Sequence, residues 1–562
     1  MKRDLARLAD TAFDVLVVGG GIYGAFVAWD AALRGYSVAL IEMGDFGGAT
    51  SANSLKIIHG GLRYLQDGDL RLVRAMAAER RTWLQIAPHL VRPLPCLLPA
   101  TTRPARHRLT LSVALAVNEL AGRMSGPHAN TEEDLPPGKI ITREECFRLV
   151  PGLDPEGVTG GAIWHDAQIV SSERLLLSVI HSAVESGAVV ANYVKGTGFL
   201  TIEGNVMGVE AQDVLTGERF DVRAALTVNA TGGWSASLLD GLGLRPAPRA
   251  YSLSTAMNLV TRQIIPDIAL GCTSRYLDHN GRQRSRVLFM VPWRNHSLIG
   301  TVHSPFPGRP EDFVIRESDV QSFIDEINNA YPDAQLGRED IYRVHGGFLP
   351  AQNGHSADVR LVRENVIIDH EREDGLAGLV SLIGVKYTTA RIGAEKALDL
   401  AGRKLGRDAP CRTRSMPLRG GRVESFSAFV QGAERELSTR LDPTTVRHLA
   451  HHYGTDLTRI TRYLDEQSGW AEPLDDRSPT IAAEVIHAVR EEMAVRLCDV
   501  IRRRTELGAA GAPGRETLRA CAELMAAELG WSESRTQSEL DEATLGFPPA
   551  EHAPLFQFAS GR

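Results

Sequence analysis

The amino-acid sequence predicts an α/β protein in three parts, and three patterns support this fold class. Near the amino terminus, DVLVVGGGIYG from Asp14 combines apolar β-formers, a glycine turn and the start of a helix. From about Tyr251 to Gly347, short runs alternate between apolar and polar residues, which is typical of an antiparallel sheet. From about Ser427 onward, apolar residues recur three and four positions apart, which predicts amphipathic helices.

These patterns predict a division into domains. We expect a Rossmann-type domain over residues 1–250, interrupted by cap segments and completed by about residues 351–410. Residues 251–350 are expected to form an antiparallel sheet that covers a substrate, and residues 411–562 a C-terminal all-helical cap domain. With 562 residues, of which 43% are hydrophobic and 23% charged, the chain is long enough for two or three cores.

The bulk composition excludes several classes of protein. A net charge of -7 with scattered Lys and Arg leaves no basic face for nucleic acid. The six cysteines form no CxxC pair, which predicts unbridged thiols in a reducing compartment. The amino terminus lacks the apolar segment of a signal peptide, and no run reaches the roughly 18 to 20 apolar residues that cross a bilayer. We therefore expect a cytoplasmic protein.

The first glycine turn has the spacing of a dinucleotide-binding motif. Gly19, Gly21 and Gly24 form GxGxxG between a strand and a helix predicted from about Ile22 to Arg34. The first glycine makes the turn, the second lets a pyrophosphate approach and the third admits close packing of helix on strand. The helix directs its free N–H groups and positive dipole end at the phosphates.

A carboxylate follows at the end of the next predicted strand, SVALIE from Ser37. Glu42 lies 18 residues after Gly24, where a carboxylate accepts hydrogen bonds from ribose hydroxyls and repels a 2'-phosphate. This spacing predicts an ADP-ribose site and does not separate NAD from FAD. The alternative is a glycine turn that binds no nucleotide.

Two longer blocks are similar to a known family. They are the loop GDFGGATSANSLKIIHGGLRYLQ over residues 44–66, and the helical EVIHAVREEMAVRLCDVIRRRTELG. From Asp14 through its C-terminal helices, the chain resembles the FAD-dependent glycerol-3-phosphate dehydrogenases, within the D-amino-acid-oxidase-like flavoproteins. The most specific block is SLKIIHGGLRYLQ. The resemblance implies that the cofactor is FAD.

The resemblance also implies which residues of the loop contact the cofactor and the substrate. Arg63 and Tyr64 would face the substrate, although Arg63 has the alternative of a structural ion pair. ATGGW would bring the backbone at Gly232 near the FAD pyrophosphate or ribose. The residues implied to line the flavin are Thr50, Ser51, Ser54, Lys56, His59 and Gly61.

A further match lies late in the chain, in GVKYTTAR over residues 384–391. Gly384 and Thr388 belong to a loop and helix start whose N–H donors would lie near flavin N1 and O2, where negative charge develops on reduction. Lys386 would point at the substrate, with a solvated loop lysine as the alternative. Arg363 matches a pocket arginine of the family.

Three departures from the family fall on the substrate side. Leu349, in GGFLPA, stands where the family carries a substrate-binding arginine. The family's Ser-His pair is replaced by Thr255 and Ala256, and its GTTD by GTVH, which ends at His303. Because a charged hydrogen bond contributes about 1.5–3 kcal/mol, losing one changes selectivity by tenfold or more. Arg63, Lys386 and Arg363 still supply three cations.

The expected reaction is hydride transfer from a carbinol carbon to flavin N5, with sn-glycerol 3-phosphate giving dihydroxyacetone phosphate and a quinone receiving the electrons. His59, His303 and His345 are candidates for the base, because histidine titrates near neutral pH. One alternative is the same chemistry on another polyol phosphate, a hydroxy acid or an amine. Another is a flavin-binding sensor or partner protein without turnover. Neither HExxH nor GxSxG occurs, so no metal enzyme or serine hydrolase is expected.

One segment leaves membrane contact open. Residues 101–124 mix Arg103, Arg106, Arg108 and Arg123 with LTLSVALAV. Such a basic amphipathic stretch can lie at the cytoplasmic face of the inner membrane, but it can equally be a buried helix with a solvated end. Whether the helical cap domain forms a homodimer is also left open.

Overall fold

The structure is a computed structural model that describes residues 1–123, 135–242, 251–277, 281–352, 359–545, 547 and 556–557. These residues form strands, α-helices and short 3-10 turns. The strands are β1 (Ala12–Val18), β2 (Val38–Ile41), β3 (Ile57–Ile58), β4 (Val91–Thr101), β5 (Lys139–Ile141), β6 (Val158–Ile169), β7 (Val189–Ala191), β8 (Val194–Ile202), β9 (Asn205–Asp213), β10 (Arg219–Asn229), β11 (Ser252–Arg262), β12 (Ala269–Leu277), β13 (Gln283–Trp293), β14 (His296–Phe306), β15 (Val314–Ile315), β16 (Ile341–Ala351), β17 (Val366–Asp369), β18 (Leu379–Ile383), β19 (Pro473–Asp475), β20 (Ser478–Ile481) and β21 (Phe556–Gln557).

The helices surround the sheets and form most of the C-terminal part. They are α1 (Leu5–Asp10), α2 (Ile22–Leu33), α3 (Leu70–Ile86), α4 (Arg108–Arg123), α5 (Arg143–Leu149), α6 (Ser172–Glu185), α7 (Ser235–Leu239), α8 (Glu317–Ala330), α9 (His370–Asp374), α10 (Ala390–Leu405), α11 (Phe426–Leu437), α12 (Pro443–Tyr453), α13 (Leu457–Glu466), α14 (Ala482–Glu492), α15 (Leu497–Asp499), α16 (Arg515–Leu529) and α17 (Glu533–Thr544). A π-helical turn, Val500–Arg504, follows α15.

The first sheet is the predicted Rossmann-type sheet. Its main path runs β17-β18-β10-β1-β2-β7, and the pairs from β18 to β7 are parallel. Strand β1 is a nearly continuous apolar run because helices cover both faces of a parallel sheet. Phe26 and Trp29 of α2 pack in the same core as residues of α6 and α10. The predicted first helix and second strand lie within two residues of their predicted bounds.

The second sheet is the predicted antiparallel sheet, and it draws strands from two parts of the chain. Its order is β16-β11-β14-β13-β12-β4-β6-β3, with β5 beside β6. Only the short contact between β4 and β12 is parallel among its described pairs. Strands β3 to β6 precede residue 251 and so lie outside the range predicted for this sheet. The sequence of β4 does not read as a strand, because it contains Pro93, Pro95 and Pro99 and proline is rare inside strands. The division at residue 250 remains a prediction.

The C-terminal part is mostly helical, with two differences from the predicted pattern. Strands β19 and β20 form a short antiparallel ribbon, and β21 pairs with β15. The helix predicted through EVIHAVREEMAVRLCDVIRRR ends at Glu492, because Met493 adopts a left-handed φ of 55°. Beyond the break, the Asp499 carboxylate accepts the Val495 N–H and begins a new helical turn.

Helix α4 occupies most of residues 101–124, the segment for which both membrane contact and a buried helix were expected as alternatives. Leu111 and Leu115 are buried under the helix, whereas Leu109, Val113 and Leu120 are 72%, 65% and 58% exposed. The segment is therefore a packed helix that also presents an apolar outer face. Met124, its predicted last residue, lies outside the described residues, and within the described part of the chain no helix has the length and apolar character to cross a bilayer.

Candidate active site

The glycine turn after β1 is a cradle that side chains would fill. A Cβ on Gly19, whose φ is 109°, would lie 2.7 Å from the Ala230 carbonyl oxygen. A Cβ on Gly24 would lie 1.9 Å from the Gly19 oxygen, so α2 packs on the turn only without one. Gly21 is the N-cap of α2 and supplies no capping side chain. The Ile22 N–H donates to Ser51 Oγ at 3.0 Å, and the N-terminal end of α2, with the positive end of its dipole, faces the space above the turn.

Glu42 lies beside this turn at the end of β2. Its carboxylate accepts hydrogen bonds from the N–H groups of Gly20, at 2.6 Å, and Gly44, at 2.9 Å. Burial raises the pKa of Glu42, and these two donors oppose the shift. Glu42 and the first two motif glycines line one cavity.

This nucleotide cavity has a volume of about 680 Å³ and extends from the glycine turn to the loop after β18. It brings together most of the residues predicted to contact the cofactor. Gly24 lies beneath the turn instead, and Gly61 lines a second cavity. The predicted residues that line the nucleotide cavity are Gly19, Gly21, Glu42, Thr50, Ser51, Ser54, Lys56, His59, Gly232, Gly384, Lys386 and Thr388.

The loop after β2, residues 44–61, is fixed at its start by a buried charge cluster. The Asp45 carboxylate accepts hydrogen bonds from Arg503 and Arg504, with Arg504 Nη2 at 2.7 Å from Oδ1. Asn192 is a third donor residue, at 2.9 Å. Burial alone would raise the pKa of Asp45, but the two guanidinium groups hold it below its ordinary value. The C-terminal domain thus contacts the loop directly.

The middle of the loop is held by the second sheet and by helix α6. Asn258 of β11 donates to the Asn53 carbonyl oxygen at 3.0 Å. Lys56 lines the nucleotide cavity, but its ammonium group points away and pairs with Glu173 at 3.0 Å. Burial lowers the pKa of Lys56 to about 8 although Glu173 opposes the shift. Lys56 therefore anchors the loop to α6 through its charge.

The end of the loop is fixed by Asp166 of β6. Asp166 Oδ1 accepts the Gly60 N–H at 2.6 Å and a hydrogen bond from Arg80 at 2.9 Å. Its Oδ2 lies 3.5 Å from His59 Nδ1. The pKa of Asp166 is lowered despite burial, because His59 and Arg80 favour the carboxylate. No sequence pattern singled out Asp166, since β6 is remote from the loop along the chain.

A second, larger cavity of about 2140 Å³, here called the cleft, opens beside the first. Eight of its described lining side chains are Arg or Lys, whereas Asp166 is the single carboxylate among them, in a chain with a net charge of -7. This lining suits an anion. The cations are Arg63, Arg103, Arg275, Arg284, Arg286, Arg360, Arg363 and Lys386.

The two cavities meet at six residues that line both, here called the junction: Leu55, His59, Thr301, Leu349, Val385 and Lys386. Lys386 Nζ donates to the Arg363 carbonyl oxygen at 2.5 Å and lies 4.7 Å from the centre of the Tyr64 ring. Burial, and then the charge of Arg63, lower the pKa of Lys386 to about 8. The hydroxyl of Tyr23, a residue that no sequence pattern singled out, accepts the backbone N–H of Lys386 at 3.2 Å.

The three candidate histidines have different positions. His59 lies at the junction, with Nδ1 facing Asp166. His303 lines the cleft opposite Ala256 on the neighbouring strand, and burial followed by Arg286 and Arg63 lowers its pKa to about 4. His345 is buried within β16, lines neither cavity and has a pKa well below its ordinary value because of burial.

The nucleotide cavity fits an extended dinucleotide. The backbone is open at the turns: a Cβ on Gly232 would meet nothing within 4 Å, and one on Gly21 only Ser51 Oγ at 3.2 Å. Phosphates can therefore approach the N–H groups at the start of α2, with a carboxylate nearby for a ribose. At the other end, the cavity reaches a cationic cleft through the junction.

Comparisons with known proteins give a consistent result. A family profile described as FAD dependent oxidoreductase matches residues 14–393, and one described as the C-terminal domain of alpha-glycerophosphate oxidase matches residues 411–536. A glycerol-3-phosphate dehydrogenase of Synechocystis sp. is 31% identical over 96% of this chain and 97% of its own length. One of Mycobacterium leprae is 31% identical over 94% and 86%.

A solved structure shares the fold. Glycerol-3-phosphate dehydrogenase from Bacillus halodurans, complexed with FAD, superposes with a TM-score of 0.73 at 24% sequence identity. The match covers 96% of this chain and 95% of that one, so it includes both sheets and the C-terminal helices.

Proposed function

Because this chain belongs to the FAD-dependent oxidoreductases, in the glycerol-3-phosphate dehydrogenase family, we propose that it oxidises sn-glycerol 3-phosphate to dihydroxyacetone phosphate and passes the electrons to a quinone. The predicted family, fold class, FAD cofactor and oxidoreductase activity are confirmed. The family assignment favours an enzyme over the non-catalytic sensor. The substrate, the acceptor and the roles of individual residues are proposals.

One observation carries the substrate proposal: a strongly cationic cleft opens onto the nucleotide cavity at the junction. A phosphorylated alcohol held by those cations can present its carbinol carbon to the junction. Gly19, Gly21 and Glu42 would hold the ADP half of FAD, and the loop over residues 44–61 the isoalloxazine. Bound there, FAD supplies a hydride acceptor for the carbinol carbon.

His59 is the proposed base for the hydroxyl proton. It lies at the junction, and Asp166 beside Nδ1 fixes the ring so that Nε2 is the nitrogen left for a substrate hydroxyl. Asp166 is a positioning residue in this proposal, because it orients the imidazole. The lowered pKa makes His303 a weak proton acceptor, and burial keeps His345 from the substrate.

Arg63, Arg363 and Lys386 are proposed to bind the substrate phosphate. All three line the cleft, and Lys386 also lines the junction. Holding the phosphate at a fixed distance from the junction aligns the C–H bond, which is the main use of binding energy in such a site. Tyr64 supports this arrangement, because its ring lies under the Lys386 ammonium.

Leu349 and the size of the cleft favour a second candidate function. Leu349 places an apolar side chain at the junction, and a cavity of about 2140 Å³ exceeds the roughly 300–1,000 Å³ of common small-molecule sites. The second candidate is the same oxidation on a larger anionic alcohol, such as another polyol phosphate. A hydroxy acid or an amine remains a weaker alternative, since neither needs so many cations.

The quinone proposal rests on the outer face of α4. Leu109, Val113 and Leu120 lie on one face of the helix, and Val113 also lines the cleft with the exposed Leu70. An apolar surface that borders the cleft gives a lipid-soluble acceptor a route from a membrane interface. We propose peripheral contact through this face.

The substrate proposal predicts a ranking in a turnover assay. With an artificial electron acceptor, the wild-type enzyme is expected to oxidise sn-glycerol 3-phosphate faster than glycerol, a hydroxy acid or an amine. Leu349→Arg is expected to raise kcat/KM for sn-glycerol 3-phosphate about tenfold, because each 1.4 kcal/mol of binding is a factor of ten. Leu349→Met, which conserves volume, is the control. No turnover of sn-glycerol 3-phosphate by wild type contradicts the first candidate, and a preference for a larger phosphate supports the second.

The lowered pKa of Lys386 predicts a pH dependence. As pH rises through about 8 the ammonium loses its charge, so kcat/KM for a phosphorylated substrate is expected to fall. In Lys386→Arg the guanidinium stays charged, and the fall is expected to move above about pH 10. Lys404→Arg, in the last turn of α10, should keep the wild-type profile. The same alkaline limb in wild type and Lys386→Arg assigns the titration to another group and contradicts this role.

The membrane proposal predicts vesicle binding through α4. Wild-type protein is expected to sediment with anionic lipid vesicles, and replacing three exposed apolar residues by serine should weaken binding at least about tenfold, since burying each contributes about 1.5–3 kcal/mol. Equal binding by both triple variants removes this face from the proposal. The test variant combines Leu109→Ser, Val113→Ser and Leu120→Ser. The control, on the β8–β9 region, combines Ile202→Ser, Met207→Ser and Leu215→Ser.

A further inference from the structure

A cluster of side chains that lines neither the nucleotide cavity nor the cleft has the composition of a transition-metal site. We propose that His448, His452 and Glu506 bind one divalent metal ion of the zinc class inside the C-terminal domain. His448 and His452 are four residues apart on α12, so they project from the same face of the helix. Glu506 follows the π-helical turn and approaches both rings.

The distances between the ligand atoms suit a metal ion. One ligand atom from each residue lies within 4.8 Å of the others. His448 Nδ1 is 3.7 Å from Glu506 Oε2, and His452 Nε2 contacts Oε1 of the same carboxylate. Ligand atoms around tetrahedral zinc lie roughly 3.3 Å apart, given bonds of about 2.0–2.1 Å. Side-chain movements of at most about 1.5 Å would bring the three ligand atoms to the separations found around zinc.

The partners behind the ligands have the arrangement found around metal-bound histidines. His448 Nε2 lies 3.1 Å from both oxygens of Glu484, so the ring is oriented by a carboxylate on the side away from the proposed metal. Glu484 is fixed in turn by the Tyr453 hydroxyl at 3.0 Å. Arg294 lies 2.6 Å from Glu506 Oε1 and leaves Oε2 directed at His448.

A buried hydrogen-bond network without a metal is the competing explanation. The arrangement of the two rings favours the metal. The imidazole rings stack, with centroids 4.4 Å apart. His448 Nδ1 and His452 Nε2 both face the carboxylate of Glu506. Two neutral imidazoles and a carboxylate are a common three-residue zinc set.

The ion would join two segments of the C-terminal domain, and an ion pair extends the cluster to a third segment. Two ligands come from α12, the third comes from the segment after the π-helical turn, and Arg294 extends the cluster to the turn between β13 and β14 of the second sheet. The proposed role is structural, because the cluster contributes nothing to the nucleotide cavity or the cleft. Metal binding would therefore hold α12 against the segment after the π-helical turn, within the C-terminal domain.

Metal analysis of the FAD-loaded full-length protein tests this proposal without using activity. The protein is purified without a histidine tag, dialysed against a weak chelator and analysed for zinc by mass spectrometry. About one zinc ion per chain is expected in wild type. His452→Gln should lose most of it, whereas His451→Gln should keep it. His451 is the matched control because it lies next to the cluster on α12 but packs against Phe426 instead, with ring centroids 4.7 Å apart.

A second measurement keeps the test valid if His452→Gln does not fold. Wild-type protein is stripped of metal and titrated with Co²⁺, and the spectrum of the metal-free holoenzyme is subtracted. Intense visible d–d bands that saturate at about one equivalent indicate a low-coordinate site with nitrogen ligands and support the proposal. The proposal is overturned if the wild-type protein shows neither zinc at a stoichiometric level nor these cobalt bands. Equal metal content in His451→Gln and His452→Gln overturns the assignment to this cluster.

Discussion

The buried carboxylate of Asp45 is the constraint on which the active site depends. It lies three residues after Glu42, and its partners Arg503 and Arg504 come 458 and 459 residues later in the chain. The Asp45 and Arg504 side chains are fully buried, so removing the Asp45 charge leaves the Arg504 guanidinium without its ion-pair partner in the interior, which costs about 3–5 kcal/mol. The C-terminal domain therefore fixes the start of the loop that we propose holds the isoalloxazine.

The rest of the loop extends this constraint to the chemistry. Lys56 is held by Glu173, and Gly60 by Asp166, so His59 lies between two fixed points. These two contacts of the neighbouring residues, more than the conformational preference of His59 itself, place it at the junction beside the cationic cleft. A cofactor loop without regular secondary structure gains its rigidity from such buried contacts, since it has few backbone hydrogen bonds.

The sequence predicts features that depend on neighbours along the chain. The glycine motif is recognised from a turn between adjacent elements, and Glu42 from its place at the end of the next strand. The periodicity of the C-terminal helices also depends only on residues close in sequence. Asp166 and Arg504 could not be assigned to the site, because their partners are remote in sequence and only the tertiary fold brings them together. The break at Met493 was missed because EVIHAVREEMAVRL keeps a helical pattern. His448 and His452 lack the glutamate of HExxH, so no metal motif drew attention to them.

The most direct test of this account is the FAD affinity of Asp45→Asn, compared with Asp221→Asn, which removes an exposed carboxylate 3.9 Å from Arg223. FAD is titrated into protein freed of cofactor, and its dissociation constant is measured by fluorescence. If the Asp45 cluster holds the loop, Asp45→Asn binds FAD at least about tenfold more weakly, because 1.4 kcal/mol of the lost anchoring corresponds to a factor of ten. Asp221→Asn binds as wild type does. Unchanged FAD affinity in a folded Asp45→Asn protein would contradict the account.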